Sequence, residues 1–119
     1  MRQNEPLYVI SVAARLLELH PQTLRKYERE GFVSPSRTAG NLRLYSSSDI
    51  ERLRQVKYLV ERRGINLSGV QLAMDVTRRL RGIRREVQSL SDRNNGRLDY
   101  LVREIDALLE LLGTSPDVE

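Results

Sequence analysis

The chain has no cysteine, a single histidine and a single phenylalanine among its 119 residues. Without cysteine there are no disulfides, no thiolate metal sites and no thiol redox sensing, and one histidine builds no metal cluster by itself. Long apolar runs are missing too. No stretch approaches the roughly 20 residues of a membrane span, and Met1 to Pro6 lacks the apolar core of a secretion signal. No cofactor, metal or membrane is therefore expected, and the expected compartment is the cytoplasm. Catalysis is excluded on similar grounds. Ser46 to Ser48 stand beside Asp49, but His20 is the chain's one histidine, and a serine without a base is inert.

What is present is charge, distributed unevenly. Lys and Arg number 12 against 7 Asp and Glu over residues 1–66, and 8 against 9 over residues 67–119. The surplus of positive charge lies in the first half, where neutralising phosphates and releasing counterions would supply much of a binding free energy. A hydrophobic fraction of 39% with 30% charged residues suits one small globular domain and an extended element.

Within that basic half, His20-Pro-Gln-Thr-Leu-Arg-Lys-Tyr-Glu-Arg-Glu-Gly31 is bracketed as a helix by proline at its first position and glycine just past its end. Leu24 and the ring of Tyr27 face inward, and Gln22, Thr23, Arg25, Lys26 and Arg29 outward. An earlier helix, capped by Ser11 and carrying Val12, Ala13, Leu16 and Leu17, meets it across a turn at Glu18 to His20, as in a helix-turn-helix. Pro35 stops any continuation, and Thr38 to Tyr45 reads as two short strands around Ala39-Gly40-Asn41, a small hairpin wing. A helix in a major groove with a hairpin beside it is a means of reading DNA. His20 is expected to be a cap or turn residue, and Tyr8, Tyr58 and Tyr100 to be packing residues.

Ser46 and Asp49 form a weaker capping box for a third helix that Gly64 ends, and a fourth starts near Ser68 and runs into the arginine-rich stretch Arg78 to Arg85. That stretch is a solvated face, an extended phosphate footprint or a dock for an acidic partner. Beyond it, Leu80, Ile83, Val87, Leu90, Leu98, Leu101, Ile105, Leu108 and Leu112 are spaced three and four apart within each run, as in a coiled coil. Such a stripe extends roughly 45 Å or more at about 1.5 Å per residue, too far for the N-terminal domain to cover. A second chain is the natural partner, with Ile83, Val87, Leu90, Leu98, Leu101, Ile105, Leu108 and Leu112 at the dimer seam. The step from Leu90 to Leu98 is eight positions rather than seven and spans Asn94-Asn95-Gly96, so the seam is either shifted by a stutter or broken into two helices. The expected fold is mainly α with a small β-hairpin. A winged helix-turn-helix domain (1–77) precedes a long C-terminal dimerisation helix (78–112) and a flexible tail (113–119).

Ala14, Thr23-Leu24-Arg25, Tyr27-Glu28, Gly31, Pro35, Arg37, Arg43, Tyr45, Asp49-Ile50 and Leu53, at their fixed spacings, resemble the MerR-type winged-helix regulators over roughly residues 8 to 76. Ile10-Ser-Val-Ala-Ala14, His20 with Gln22 to Arg25, and Gly64-Ile-Asn-Leu67 with Gly69 are most similar to the heat-shock repressor branch of that family, HspR. The resemblance implies a homodimer on an inverted-repeat operator, repression of chaperone genes, and the chaperone DnaK as corepressor. Carried over by residue, it implies base-edge or phosphate contacts from Gln22, Thr23 and Arg25, phosphate contacts from Lys26 and Tyr27, and wing contacts from Arg37, Arg43 and Tyr45. A regulator of another stress or nitrogen pathway, or a helical adaptor holding DNA non-specifically, is the alternative. Glu18 stands where the family commonly has glycine, and a left-handed non-glycine residue costs on the order of 1 kcal/mol or more, which leaves room for a turn wound differently. Asn41, where the wing has glycine, still tolerates positive φ.

Overall fold

The elements follow from local signals along the chain. A computed structural model, which describes residues 5–116, gives the order β1 (Pro6–Val9), α1 (Ile10–Leu17), α2 (Pro21–Arg29), β2 (Ser36–Arg37), β3 (Arg43–Ser46), α3 (Ser47–Glu61), α4 (Leu67–Asp92) and α5 (Asp99–Leu111). Ser11 does not cap α1. The cap position is Val9, with no side-chain cap bond, because the extended strand paired to β3 runs straight into the helix. Glu18 then takes the left-handed conformation at φ 54° and ψ 46°, so the turn is wound with the strain that its side chain implies. Lys57 Nζ of α3 donates to the carbonyl of Leu17 at 2.8 Å and satisfies the exposed end of α1.

α2 ends in a Schellman motif. Gly31 sits at φ 81°, its N–H donates to Glu28 O at 3.0 Å, and that of Phe32 donates to Tyr27 O at 3.0 Å. The Phe32 and Tyr27 rings pack at 5.8 Å, supplying the apolar contact that usually accompanies the motif. The capping box of α3 forms as the sequence suggests, with Asp49 N donating to Ser46 Oγ at 3.0 Å and Ser46 N to Asp49 Oδ2 at 2.9 Å. α4 is capped by Asn66, whose Oδ1 accepts from Gly69 N at 2.8 Å.

The sheet has three antiparallel strands in the order β1-β3-β2, so the wing hairpin gains a strand from the N-terminal side. Leu7-Tyr8-Val9, an aromatic and apolar run behind a proline, carries the signal for that strand. Tyr8 pairs with Tyr45 and Val9 with Leu44, while Arg37 pairs with Arg43. At the hairpin tip, Asn41 adopts φ 66°, and Thr38 closes the turn by accepting from Asn41 N at 2.9 Å. One core joins these pieces. Ala13, Leu17, Leu24, Val33, Tyr45, Leu53, Val56 and Val70 are buried in it, with apolar contributions from α1 to α4 and from the central strand.

The apolar stripe past Leu80 is broken. α4 stops at Asp92, Asn95 and Gly96 take left-handed φ of 57° and 75°, and α5 folds back along α4. Ser91 Oγ secures the corner, donating to Asp99 Oδ1 at 2.6 Å and accepting from Leu98 N at 3.0 Å. Arg84 Nε to Asp106 at 2.5 Å and Arg81 Nη2 to Thr114 Oγ1 at 2.6 Å fix the antiparallel register. Residues 78–112 thus divide between two helices. Val102, Ile105 and Leu109 are buried within the hairpin, whereas Ile83, Leu90, Leu101 and Leu108 remain exposed.

The tail expected to fray from residue 113 is held where it is described. Thr114 N donates to Leu109 O at 3.1 Å, and Arg81 also reaches Ser115 O at 3.2 Å; residues 117–119 of that expectation lie outside the described residues. Among the described residues no helix is long and apolar enough to cross a membrane.

Candidate nucleic-acid interface

The second helix is positioned from both ends. His20 is its N-cap, accepting from Gln22 N at Nδ1 over 3.0 Å, with Pro21 at the first helical position. At the other end the Schellman turn and the Phe32 ring hold it to the core. Leu24 and Tyr27 form its buried side. Gln22 and Lys26 are exposed, and Thr23 and Arg25 are half-buried on either side of them. A nine-residue helix with its polar side toward solvent fits the width of a major groove.

The wing lies against this helix through one carboxylate. Glu28 Oε1 accepts from Arg43 Nε at 2.6 Å, and Oε2 accepts from Arg37 Nη2 at 3.1 Å. Arg37 Nη1 in turn lies 3.4 Å from both the carbonyl and the side-chain oxygen of Asn41 at the hairpin tip. Burial pushes the Glu28 carboxyl up, but the hydrogen bonds and charges of Arg43 and Arg37 outweigh it and leave it below the usual carboxylate range. The helix and the wing therefore form one cationic surface with an anion at its seam. Arg25 is not bridged to Glu28, although it lies three residues away on the same helix.

Two of the residues expected at the interface are placed otherwise. Tyr27 is 4% exposed and Tyr45 is fully buried, so neither ring is offered to a duplex. Burial raises both phenols above their ordinary value, with Glu61 adding to Tyr27 and Glu28 to Tyr45. Tyr45 pairs with Tyr8 across the sheet and lies near enough to Glu28, Arg43 and Arg37 to feel their charges, and its hydroxyl has no hydrogen-bond partner among the described residues. Gln22, Thr23, Arg25, Lys26, Arg37 and Arg43 remain at or near the surface. Glu28 is the member to which the sequence alone assigns no contact with the wing. Its signal was an acid in an otherwise basic segment, one turn past the groove-facing residues.

The arginine stretch resolves into several roles. Arg81 and Arg84 brace the α4–α5 hairpin, Arg78 pairs with Asp75 at 2.6 Å within α4, and Arg79 is exposed.

A helix-turn-helix with a bridged hairpin wing defines a winged DNA-binding domain. Comparison with known proteins adds the lineage: the chain belongs to the MerR HTH family of regulatory proteins, whose pattern matches residues 8–77. It is 55% identical over 76 residues to the heat shock protein HspR of Streptomyces coelicolor, covering 64% of this chain and 50% of that one. It is 37% identical over 70 residues to the transcriptional regulator GlnR of Bacillus anthracis, covering 59% and 54%. With the regulator MlrA of Escherichia coli it shares 36% over 69 residues, covering 57% and 28%. The chain thus matches about half the length of HspR and GlnR.

Proposed function

We propose that the chain is a sequence-specific transcriptional repressor of heat-shock genes, acting as a homodimer on an inverted-repeat operator. The observation that carries the DNA-binding part is the continuity of the groove-facing side of α2 with the wing arginines, joined by Glu28. Identity to HspR at 55%, against 37% to GlnR, favours the heat-shock assignment over nitrogen regulation. Gln22, Thr23 and Arg25 read base edges or neighbouring phosphates, Lys26 engages phosphate, and the wing arginines press on the flanking backbone. Two copies joined through the exposed side of the α4–α5 hairpin would set their recognition helices in successive major grooves, about 34–36 Å apart. DnaK as corepressor rests on the family resemblance alone.

Selection of duplexes from a randomised pool, followed by anisotropy titration of selected and scrambled duplexes at two salt concentrations, tests the reading. An enriched inverted repeat bound far more tightly than its scrambled form is expected, with both affinities falling as salt rises. Equal affinity for the two duplexes would leave the adaptor alternative standing.

A further inference from the structure

We propose that Glu28 is a positioning residue for DNA recognition: its carboxylate locks the wing to the recognition helix through Arg43 and Arg37 and thereby sets operator preference. This rests on the DNA-binding reading above and adds a residue whose charge is wrong for touching DNA.

Each carboxylate oxygen takes one arginine, Oε1 that of β3 and Oε2 that of β2. A single α2 side chain therefore fixes both wing strands. The link continues from Arg37 to the backbone and side chain of Asn41, so the hairpin tip is referenced to the same helix that carries Gln22 and Thr23. The cluster is partly shielded from solvent, with side-chain exposures of 23% for Glu28, 25% for Arg43 and 37% for Arg37. Arg43 meets Glu28 through Nε, and its two Nη groups, which hold four of the five guanidinium N–H donors, stand outside that bond. Held this way, the planar end of the guanidinium is oriented for a phosphate while its inner edge stays anchored.

Charge alone predicts the opposite outcome. Glu28 repels phosphates, and replacing it with glutamine raises the net charge by one, which would tighten binding to any duplex. Positioning predicts that Glu28→Gln binds scrambled duplex as well as or better than the wild type, yet binds the selected duplex about tenfold or more weakly, so that preference collapses. The experiment titrates wild type, Glu28→Gln and Arg43→Lys against the selected and scrambled duplexes at two salt concentrations, with thermal melting of each variant. Arg43→Lys keeps the charge but removes the fork, and loses preference in the same way. A Glu28→Gln protein that melts normally and keeps or improves its preference overturns the proposal. Should Glu28→Gln fail to fold at the assay temperature, Glu28→Asp, which keeps the charge but shortens the reach to both arginines, decides: lost preference supports the proposal, and wild-type preference overturns it. A wild type that shows no preference instead removes the DNA-binding reading beneath it.

Discussion

Gln55 Nε2 on α3 donates to the carbonyl of Leu112 at 2.9 Å and to Thr77 Oγ1 on α4 at 2.8 Å. One buried amide thus ties the end of the helical hairpin to the winged domain, across 57 residues of sequence. Such a bond is modest when made and costly when half of it is left behind, because the stranded partner stays desolvated. Gln55→Leu keeps the volume, removes both bonds and strands the Leu112 carbonyl. Urea denaturation should show a loss of about 1–3 kcal/mol. A change near zero would mean that the hairpin docks by apolar packing alone.

Tyr45 presents the reverse case. Its hydroxyl is buried without a partner among the described residues, and removing an unsatisfied polar atom relieves a desolvation cost of about 1–3 kcal/mol. Tyr45→Phe should therefore leave stability unchanged or raise it, and should leave operator affinity within about twofold, since one lost specific contact would cost tenfold or so. Marked weakening of DNA binding with intact folding would show that the ring turns outward on the duplex.

The lowered Glu28 carboxyl makes stability pH-dependent in a definite direction. A group whose folded pKa lies below its ordinary 4.5 contributes stability that is complete above that value and is lost as pH falls through the folded pKa. Acid titration of the folded state should thus show wild type losing stability below about pH 4.5 more steeply than Glu28→Gln, which has no proton to take up there. The charges facing it are those of Arg43 and Arg37. Superimposable acid limbs for the two proteins would refute the ion-pair contribution.

Local signals carried most of the first half. Pro21 and Gly31 bracketed α2, Ser46 with Asp49 announced α3, and Asn41 marked the wing tip, each because a few neighbouring residues decide a cap or a positive φ. The pairing of β1 with β3 was not legible, since nothing local says which strand a four-residue run will join. The bridging role of Glu28 was not legible because its partners lie 9 and 15 residues away and come close only once the wing folds back. In the second half the spacing of apolar residues is helical, and the residues do form helices, but spacing does not distinguish a partner helix in another chain from one folded back in the same chain. Asn95-Gly96 was the deciding signal, and its left-handed φ values turn the chain.

Glu18 at φ 54° is a strained side chain in the helix-turn-helix turn. Glycine relieves the clash of Cβ in the left-handed region, worth about 1–2 kcal/mol, while giving back about 0.4–1 kcal/mol through a more flexible unfolded chain. Glu18→Gly should therefore stabilise the protein by up to about 1.5 kcal/mol, measured by thermal or urea unfolding. Destabilisation would indicate that the Glu18 side chain makes a favourable interaction larger than its strain.

The divided stripe separates two roles that a continuous helix would have merged. Leu109 is fully buried and Ile105 8% exposed inside the hairpin, while Leu101 at 37% and Leu108 at 45% lie on its outer side. A glutamate at Ile105 would bury an unpaired charge in the hairpin itself, at a cost of about 3–5 kcal/mol, and should lower the melting temperature at any protein concentration. A glutamate at Leu108 or Leu101 meets solvent in the single chain and should leave its helicity intact, but it would place that charge in the proposed dimer seam. Sedimentation should then show folded monomers for Leu108→Glu and Leu101→Glu, with operator affinity greatly weakened because the two half-sites are no longer engaged together. A Leu108→Glu protein that sediments as a stable dimer would place the seam elsewhere. The exposed Ile83 and Leu90 of α4 would then be the next positions to substitute.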